Sequence, residues 1–585
     1  MKIKEFLYEK EQGRGLLAGL LLLVVFFVIY TFSTVRFSTN DDNTIINSLI
    51  YSSGQTGLEG QSFMYINFLL GLPLSRLYRI CGSVPWYEVY QVGIQAVSLF
   101  VIWKHVLREC YRSKIGLLPA SLIVGVLQGL LLTIPIQQVQ FTTTAGVVGC
   151  AGIVSYLCQD KSKAFRVIQF VPVWIFTLLC FFQREMVGYV ILAFLYLLIF
   201  MDLAESWIQK KSWKEEKKKV FCSIFLLLSI FAAISLNEKF NNQQIESQEF
   251  QEYSSLRVQY MDYNSGAFLS NPQIFEEVGW DPELCAMVSE WYFMDERYNT
   301  ETLKTILEQL NTGTEKENAE STFQDAWPIW KDLMQDHTVK ILIAFTVCLV
   351  LLYVFSQGLG CKNRYFSHAT VLLLLAGSFL LALYLCLRGR FPLRVFQVIS
   401  IPVNLLLAVF IIRSVGMEKD QKQKRWKQGI RLIVFVCILF LCMPMAKGLF
   451  NRDTQTAARG NREELIAMKE YAGMRQDNVY VYGSDLTGGE PIFYRTGDNT
   501  VYNCFFWGGT SMFSKAFYEN LTKCGLEHLQ TEDWFRENVY YLVKNEEKKA
   551  ILYKYLSTRY EDVVMEQRDS IGNIQVIKFT RNAGE

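Results

Sequence analysis

Gly15 to Asn43 read GLLAGLLLLVVFFVIYTFSTVRFSTNDDN, an apolar run from Leu16 to Tyr30 followed within a few residues by two adjacent acids, Asp41 and Asp42. The run is long enough to cross a bilayer, which places a carboxylate pair at a membrane surface. Charge beside a bilayer is costly to desolvate and like neighbours repel, so the pair points to chemistry more readily than to packing. The plainer reading is helix capping, with Asn40, Asp41 or Asp42 ahead of Thr44-Ile45-Ile46, and it does not exclude catalysis.

The rest of the chain extends the same pattern. Its 585 residues are 51% hydrophobic and 14% aromatic, and the apolar residues fall in long runs, as in a polytopic membrane protein. The net charge of +2 is too balanced for a nucleic-acid binder. Windows of roughly 20 residues place eleven spans, near 15–35, 86–104, 115–135, 141–158, 166–182, 186–203, 219–236, 338–356, 367–386, 395–412 and 430–447. With the N-terminus in the cytoplasm, the inner segments 1–14, 104–114, 159–166, 204–219, 357–367 and 413–431 together hold 26 Lys and Arg, the asymmetry expected of the cytoplasmic side. The acid pair and the C-terminus are then outside. Phe63 to Leu77 is apolar too, but making it cross would export Lys104, Arg108, Arg112 and Lys114, so it reads as an interfacial helix. The first span, preceded by Lys2, Lys4, Lys10 and Arg14, reads as an uncleaved anchor.

Three outer regions are long enough to fold: 36–85, 237–337 and 448–585. The fold class expected is therefore a polytopic α-helical membrane domain over 1–447 with a C-terminal extracytoplasmic α/β domain over 448–585. In that tail Asn478–Gly483, Tyr540–Val543 and Ile574–Phe579 read as strands, with helices near 462–473 and 546–557. Among the outer cysteines, Cys81, Cys285, Cys504 and Cys524 show no metal spacing, and a bridge between Cys504 and Cys524 stays open. The four histidines are scattered and receive no catalytic role. No nucleotide-cradling glycine loop, zinc signature, nucleophile elbow or kinase motif is present.

The other site candidates are polar residues expected outside. Arg388, Arg390 and Arg394 crowd one short outer connection against the charge rule. Guanidinium forks grip phosphate, so the cluster suits a lipid phosphate or diphosphate, with ordinary headgroups or acids of the 237–337 loop as the plainer partners. Arg184 stands in another short outer turn, where it either joins that cluster or pairs with Glu185. Gln137, Gln138, Gln140, Thr142, Thr143 and Thr144 form an uncharged patch of the kind that recognises sugar or caps a helix. The 237–337 loop carries aromatic segments with embedded charges; its site candidates are Arg257 and Asp262, and docking of the loop is the plainer role of its rings.

This outer face, with Asn40-Asp41-Asp42 after the first span, interfacial segments behind it and an extracytoplasmic tail, resembles the GT-C glycosyltransferases. The stretch from Asn40 through Ile66-Asn67-Phe68-Leu69-Leu70-Gly71 to Pro85-Trp86-Tyr87 is similar to bacterial membrane glucosyltransferases that decorate O-antigen or other surface polysaccharides. The resemblance implies a bacterial plasma-membrane enzyme whose donor is a sugar on undecaprenyl (polyprenyl) phosphate and whose acceptor is a hydroxyl of a cell-envelope or lipid-linked glycan. In that chemistry Asp41 is the expected general base, Asp42 orients the acceptor or shares the proton, and Arg184, Arg388, Arg390 and Arg394 stabilise the phosphate leaving group. Asn40, Gln138, Thr143, Arg257 and Asp262 are the expected substrate contacts. Some families of this fold need a divalent cation such as Mg or Mn; Asp41, Asp42 and Asp262 are the ligands available, and metal dependence stays open. Two rival classes are a flippase or transporter of lipid-linked saccharide and a non-catalytic membrane glycan-binding protein. Charge-poor middle thirds of the spans argue against transport.

Overall fold

The computed structural model describes residues 8–39, 41–52, 63–159, 166–209, 213–242, 245–314, 321–356, 365–415, 424–486, 492–493, 502–509 and 512–581. Each sequence-predicted span falls on a helix: Glu11–Phe32, Trp86–Arg112, Leu117–Gln137, Phe141–Leu157, Val171–Gln183, Glu185–Ile208, Trp213–Asn242, His337–Ser356, Tyr365–Leu387, Leu393–Val415 and Lys424–Phe450. Among the described residues, seven of the helices are long and apolar enough to cross a membrane unaided. Phe141–Leu157 is a shorter apolar helix, and Trp86–Arg112 carries polar residues along its length. Leu23, Phe27, Phe200, Phe231, Leu372 and Phe379 lie exposed on the outside of the bundle. An apolar belt of that size has no stable place in water and marks a lipid-facing surface.

At the centre of the bundle stands Phe141–Leu157, buried along its whole length. Small residues let its neighbours close in: a Cβ on Gly149 would run into the Ile191 side chain, and one on Gly152 would lie 3.1 Å from the Thr177 hydroxyl. Close backbone approach of this kind is how helices associate where no hydrophobic drive exists between them. The helix Phe68–Ile80 covers about 20 Å, too short for the hydrocarbon core. Asn67 pins its start: its side-chain oxygen caps the Leu69 N–H at 2.9 Å, its backbone N–H donates to the Phe182 carbonyl, and the Phe68 N–H donates to Asn237.

The tail forms a five-stranded sheet in the order β4-β3-β5-β7-β6, from β3 (Val479–Tyr482), β4 (Cys504–Phe506), β5 (Val539–Val543), β6 (Val563–Ile571) and β7 (Ile574–Arg581). β4, β3 and β5 run parallel, and the β6–β7 hairpin adds antiparallel to β5. Alternation sorts its two faces. Val479, Val481, Val539, Tyr541, Val543, Ile577 and Phe579 face one core, while Tyr480, Leu542, Ile574 and Val576 face a second core with Leu465, Met468 and Ala472 of the helix Arg452–Gly473. The first core is shared with the long loop. Tyr253, Tyr260, Trp280, Tyr292, Phe293 and Tyr298 belong to this core, and the Tyr292 ring meets Trp507 and Trp534 of the tail, so loop and tail fold as one body. Hydrogen bonds stitch them: the Phe293 N–H donates to the Trp507 carbonyl at 2.9 Å, and the Trp507 indole N–H donates to the Glu290 carbonyl at 3.2 Å. The pairing left open between Cys504 and Cys524 is not made; both are free thiols.

Candidate active site

The acid pair opens the helix Asp41–Ser52, and two short strands fix its approach. β1 (Arg36–Phe37) pairs in parallel with β2 (Gln138–Val139), and the Ser38 N–H donates to the Val139 carbonyl at 2.9 Å. The chain leaving the first span is thereby clamped to the turn before Phe141–Leu157. Adjacent residues on a helix point about 100° apart, and here that angle separates the acids.

Asp42 is fully buried. Its Oδ1 accepts the Tyr87 hydroxyl at 2.6 Å and the Phe141 backbone N–H at 3.1 Å, while Oδ2 has no partner among the described residues. Burial pushes its carboxyl well above the usual range, with the neighbouring Asp41 charge adding to the shift; the bonds from Tyr87 and Phe141 oppose it. A neutral acid with its proton on Oδ2 resolves the cost of an unpaired buried charge. Asp42 is thus a bracket joining three elements, the helices that begin at Asp41, Trp86 and Phe141. Asp41 is only half-buried, and its Oδ2 accepts the Thr39 hydroxyl at 3.2 Å.

Arg184 and Arg390 lie near Asp41, and Arg394 lies near both of them and near Asp42. Burial lowers the pKa of Arg184; Tyr65 and Asp41 oppose that shift and Arg394 reinforces it. Arg390 behaves alike, lowered by burial and by Arg394, and held up by Asp41. Groups that perturb one another in this way share one electrostatic site. The Arg184 guanidinium lies over the rings of Phe141 and Tyr65, 5.1 and 5.5 Å from their centroids, and those rings stack on each other at 5.7 Å. Tyr65 holds a left-handed φ of 64°, a backbone conformation uncommon for a non-glycine residue and concentrated at functional sites. Arg390 is ion-paired with Asp262 of the loop. Among the described residues, Arg184 and Arg394 have no ion-pair partner.

The structure therefore brings Asp41, Asp42, Arg184, Arg390, Arg394 and Asp262 to one end of the bundle, on the side that carries the loop and tail. It turns Arg388 elsewhere: Gly389, at φ +83°, reverses the chain, and the Arg388 Nε donates to the Tyr384 hydroxyl at 3.2 Å. Arg257 is buried in the loop–tail core beside Tyr253 and Tyr298. Gln138 sits in β2, and the Thr143 hydroxyl turns back to the Gln140 carbonyl at 3.0 Å, a local bond within its own helix start. Asn40 lies outside the described residues.

A glutamine network underneath is legible only in three dimensions. The Gln183 side-chain amide donates to Gln91 at 2.8 Å and to the Phe141 carbonyl at 3.1 Å, the Tyr90 hydroxyl donates to Gln183, and Gln95 donates to the Thr144 hydroxyl at 2.7 Å. Gln91, Gln95 and the bracket partner Tyr87 recur at four-residue spacing on one helix face, a polar stripe that the sequence does display.

No three His, Cys, Asp or Glu side chains among the described residues group as a metal site. A hard divalent cation wants several oxygens in one place, and of the three acids Asp262 is engaged by Arg390.

No family model matches this chain, and no characterised protein sequence matches it significantly. Two solved structures are similar over nearly its whole length. They are ArnT from Cupriavidus metallidurans bound to undecaprenyl phosphate (14% identity, TM-score 0.36) and the same protein in the apo state (12%, 0.37), each match covering 96% of this chain and 97% of that one. At such TM-scores the likeness carries no argument about this chain's site.

Proposed function

We propose that this chain is a membrane glycosyltransferase of the GT-C type that moves a sugar from a polyprenyl phosphate to a hydroxyl of an envelope or lipid-linked glycan. The observation that carries the reading is the half-buried Asp41 carboxylate beside Arg184 and Arg390, with Arg394 next to both arginines and to Asp42, at one end of the helix bundle. Asp41 takes the proton of the attacking hydroxyl, a role worth roughly 10²–10⁴-fold. Attack on the anomeric carbon breaks its bond to the donor phosphate oxygen and inverts the centre. The arginines receive the charge that develops on that phosphate, so no acid is needed for the leaving group. Arg184 and Arg394 are poised without ion-pair partners among the described residues, and Arg390 exchanges Asp262 for the phosphate. Asp42 supports the base from behind by holding the Asp41 helix to Tyr87 and Phe141.

The test is transfer of radiolabelled sugar from polyprenyl-phosphate-sugar donors to envelope extract by purified protein, wild type against Asp41→Asn. Transfer that vanishes in the variant supports the reading. Wild type that moves the same lipid across vesicles without transferring sugar makes the protein a transporter.

A further inference from the structure

At the far end of the same helices lies a second cationic site. A cavity of about 390 Å³ is lined by Glu11, Arg14, His105, Arg108, Arg112 and Ser155. Tyr87 and Arg108 are separated by 21 residues on one helix, about 30 Å along its axis, so the cavity and the acid pair sit at opposite membrane surfaces.

Two of its guanidiniums lack a direct ion pair among the described residues, although Glu109 and Glu11 lie within Coulomb range of Arg108. Arg112 donates to Glu109 at 3.0 Å, and Glu109 also accepts from Arg413 at 2.8 Å; Glu11 lies 3.8 Å from Lys104. Among the described residues no carboxylate is ion-paired to Arg14 or Arg108. Arg14, nearly buried, donates only to the backbone carbonyls of Tyr8 and Glu9 and rests over the Tyr111 ring, and Arg108 donates to the Cys158 carbonyl. The Arg14 Nε, Arg108 Nε, His105 Nδ1 and Ser155 Oγ are buried with no partner among the described residues. Unpaired guanidinium charge and orphaned donors around a cavity of this size are costly unless an anion fills it. Two guanidiniums, a hydroxyl and an imidazole at headgroup depth match the acceptor oxygens of a phosphate.

We propose that this cavity binds a phosphate group at the membrane face opposite the acid pair, held by Arg14 and Arg108 with Ser155 and His105 completing the hydrogen bonds. The site is separate from the donor site proposed above and stands if that assignment fails.

Native mass spectrometry of the full chain in detergent, titrated with dioctanoyl phosphatidate, tests it. Wild type should bind saturably, and Arg14→Gln/Arg108→Gln should weaken one binding event about tenfold or more, the loss expected from removing charged hydrogen bonds. Ser155→Trp, which fills the cavity and keeps both charges, should do the same. Arg394→Gln at the other face should leave this event intact, whatever it does to sugar transfer. Displacement of the lipid by inorganic phosphate identifies a soluble anion as the occupant, and resistance to it identifies a lipid headgroup. Phosphatidate binding unchanged in both the double variant and Ser155→Trp overturns the proposal.

Discussion

Replacing Asp42 separates structural from chemical roles within the acid pair. Asp42→Ala strips the acceptor from two buried donors, the Tyr87 hydroxyl and the Phe141 N–H. An orphaned buried donor costs about 1–3 kcal/mol, so the pair should cost ~2–6 kcal/mol, a large share of a marginal folding free energy. Asp42→Asn keeps the acceptor oxygen but adds one more orphaned donor where the partnerless Oδ2 lies, so it should cost about 1–3 kcal/mol, less than the alanine. The pH response follows from the raised carboxyl. Above the ordinary value of 3.8 the unfolded chain has released this proton and the folded chain still holds it. Stability therefore falls as pH rises from that value towards the folded pKa, and Asp42→Asn removes that component of the slope. Thermal unfolding of the detergent-purified protein from pH 4 upward compares wild type with both variants. Asp42→Ala as stable as wild type, or Asp42→Asn as damaging as Asp42→Ala, would refute the bracket.

Asp41→Asn should unfold within ~1 kcal/mol of wild type, since an amide oxygen still accepts from Thr39, yet lose about 10²–10⁴-fold in initial transfer rate. Arg184→Gln and Arg394→Gln should each lower kcat/KM for the lipid donor by about tenfold or more, whereas Arg388→Gln, whose side chain lies against Tyr384, should change it by less than about threefold; equal losses at all three would defeat the assignment. Gly508→Ala would drive a Cβ into the Trp291 carbonyl where the loop meets the tail, and should cost about 1–3 kcal/mol or more, seen as new protease cleavage within 245–314.

Much of the fold is legible along the chain because lipid imposes a one-dimensional rule: a span must supply its own apolar length, as Leu16 to Tyr30 and the later runs do. Strand alternation is equally local, and the tail's β3, β5 and β7 stand where Asn478–Gly483, Tyr540–Val543 and Ile574–Phe579 indicated. β4 was missed because Cys504–Phe506 is too short to show a period, and β6 because Glu566 to Ser570 is a polar run without alternating apolar residues. The sharing of a core by loop and tail was hidden for another reason. Its aromatic residues, Tyr253 to Tyr298, lie far along the chain from the strands whose core they share, and no pattern within either segment names the other.

By itself the sequence determined that the chain is a helical membrane protein with a folded tail, and that acids and arginines gather where helices end. Tertiary structure decided what each one faces. Asp41 and Asp42 are equivalent to any reading of composition or spacing, yet one is sealed between Tyr87 and Phe141 while the other lies near Arg184 and Arg390. The Arg388 side chain lies against Tyr384 while Arg390 and Arg394 stand near the acid pair, and Arg184 enters from a turn some two hundred residues away. The physical reason is common to these cases: a side chain's charge state and partners are set by which elements close around it, and burial and Coulomb interactions act through space without regard to chain order.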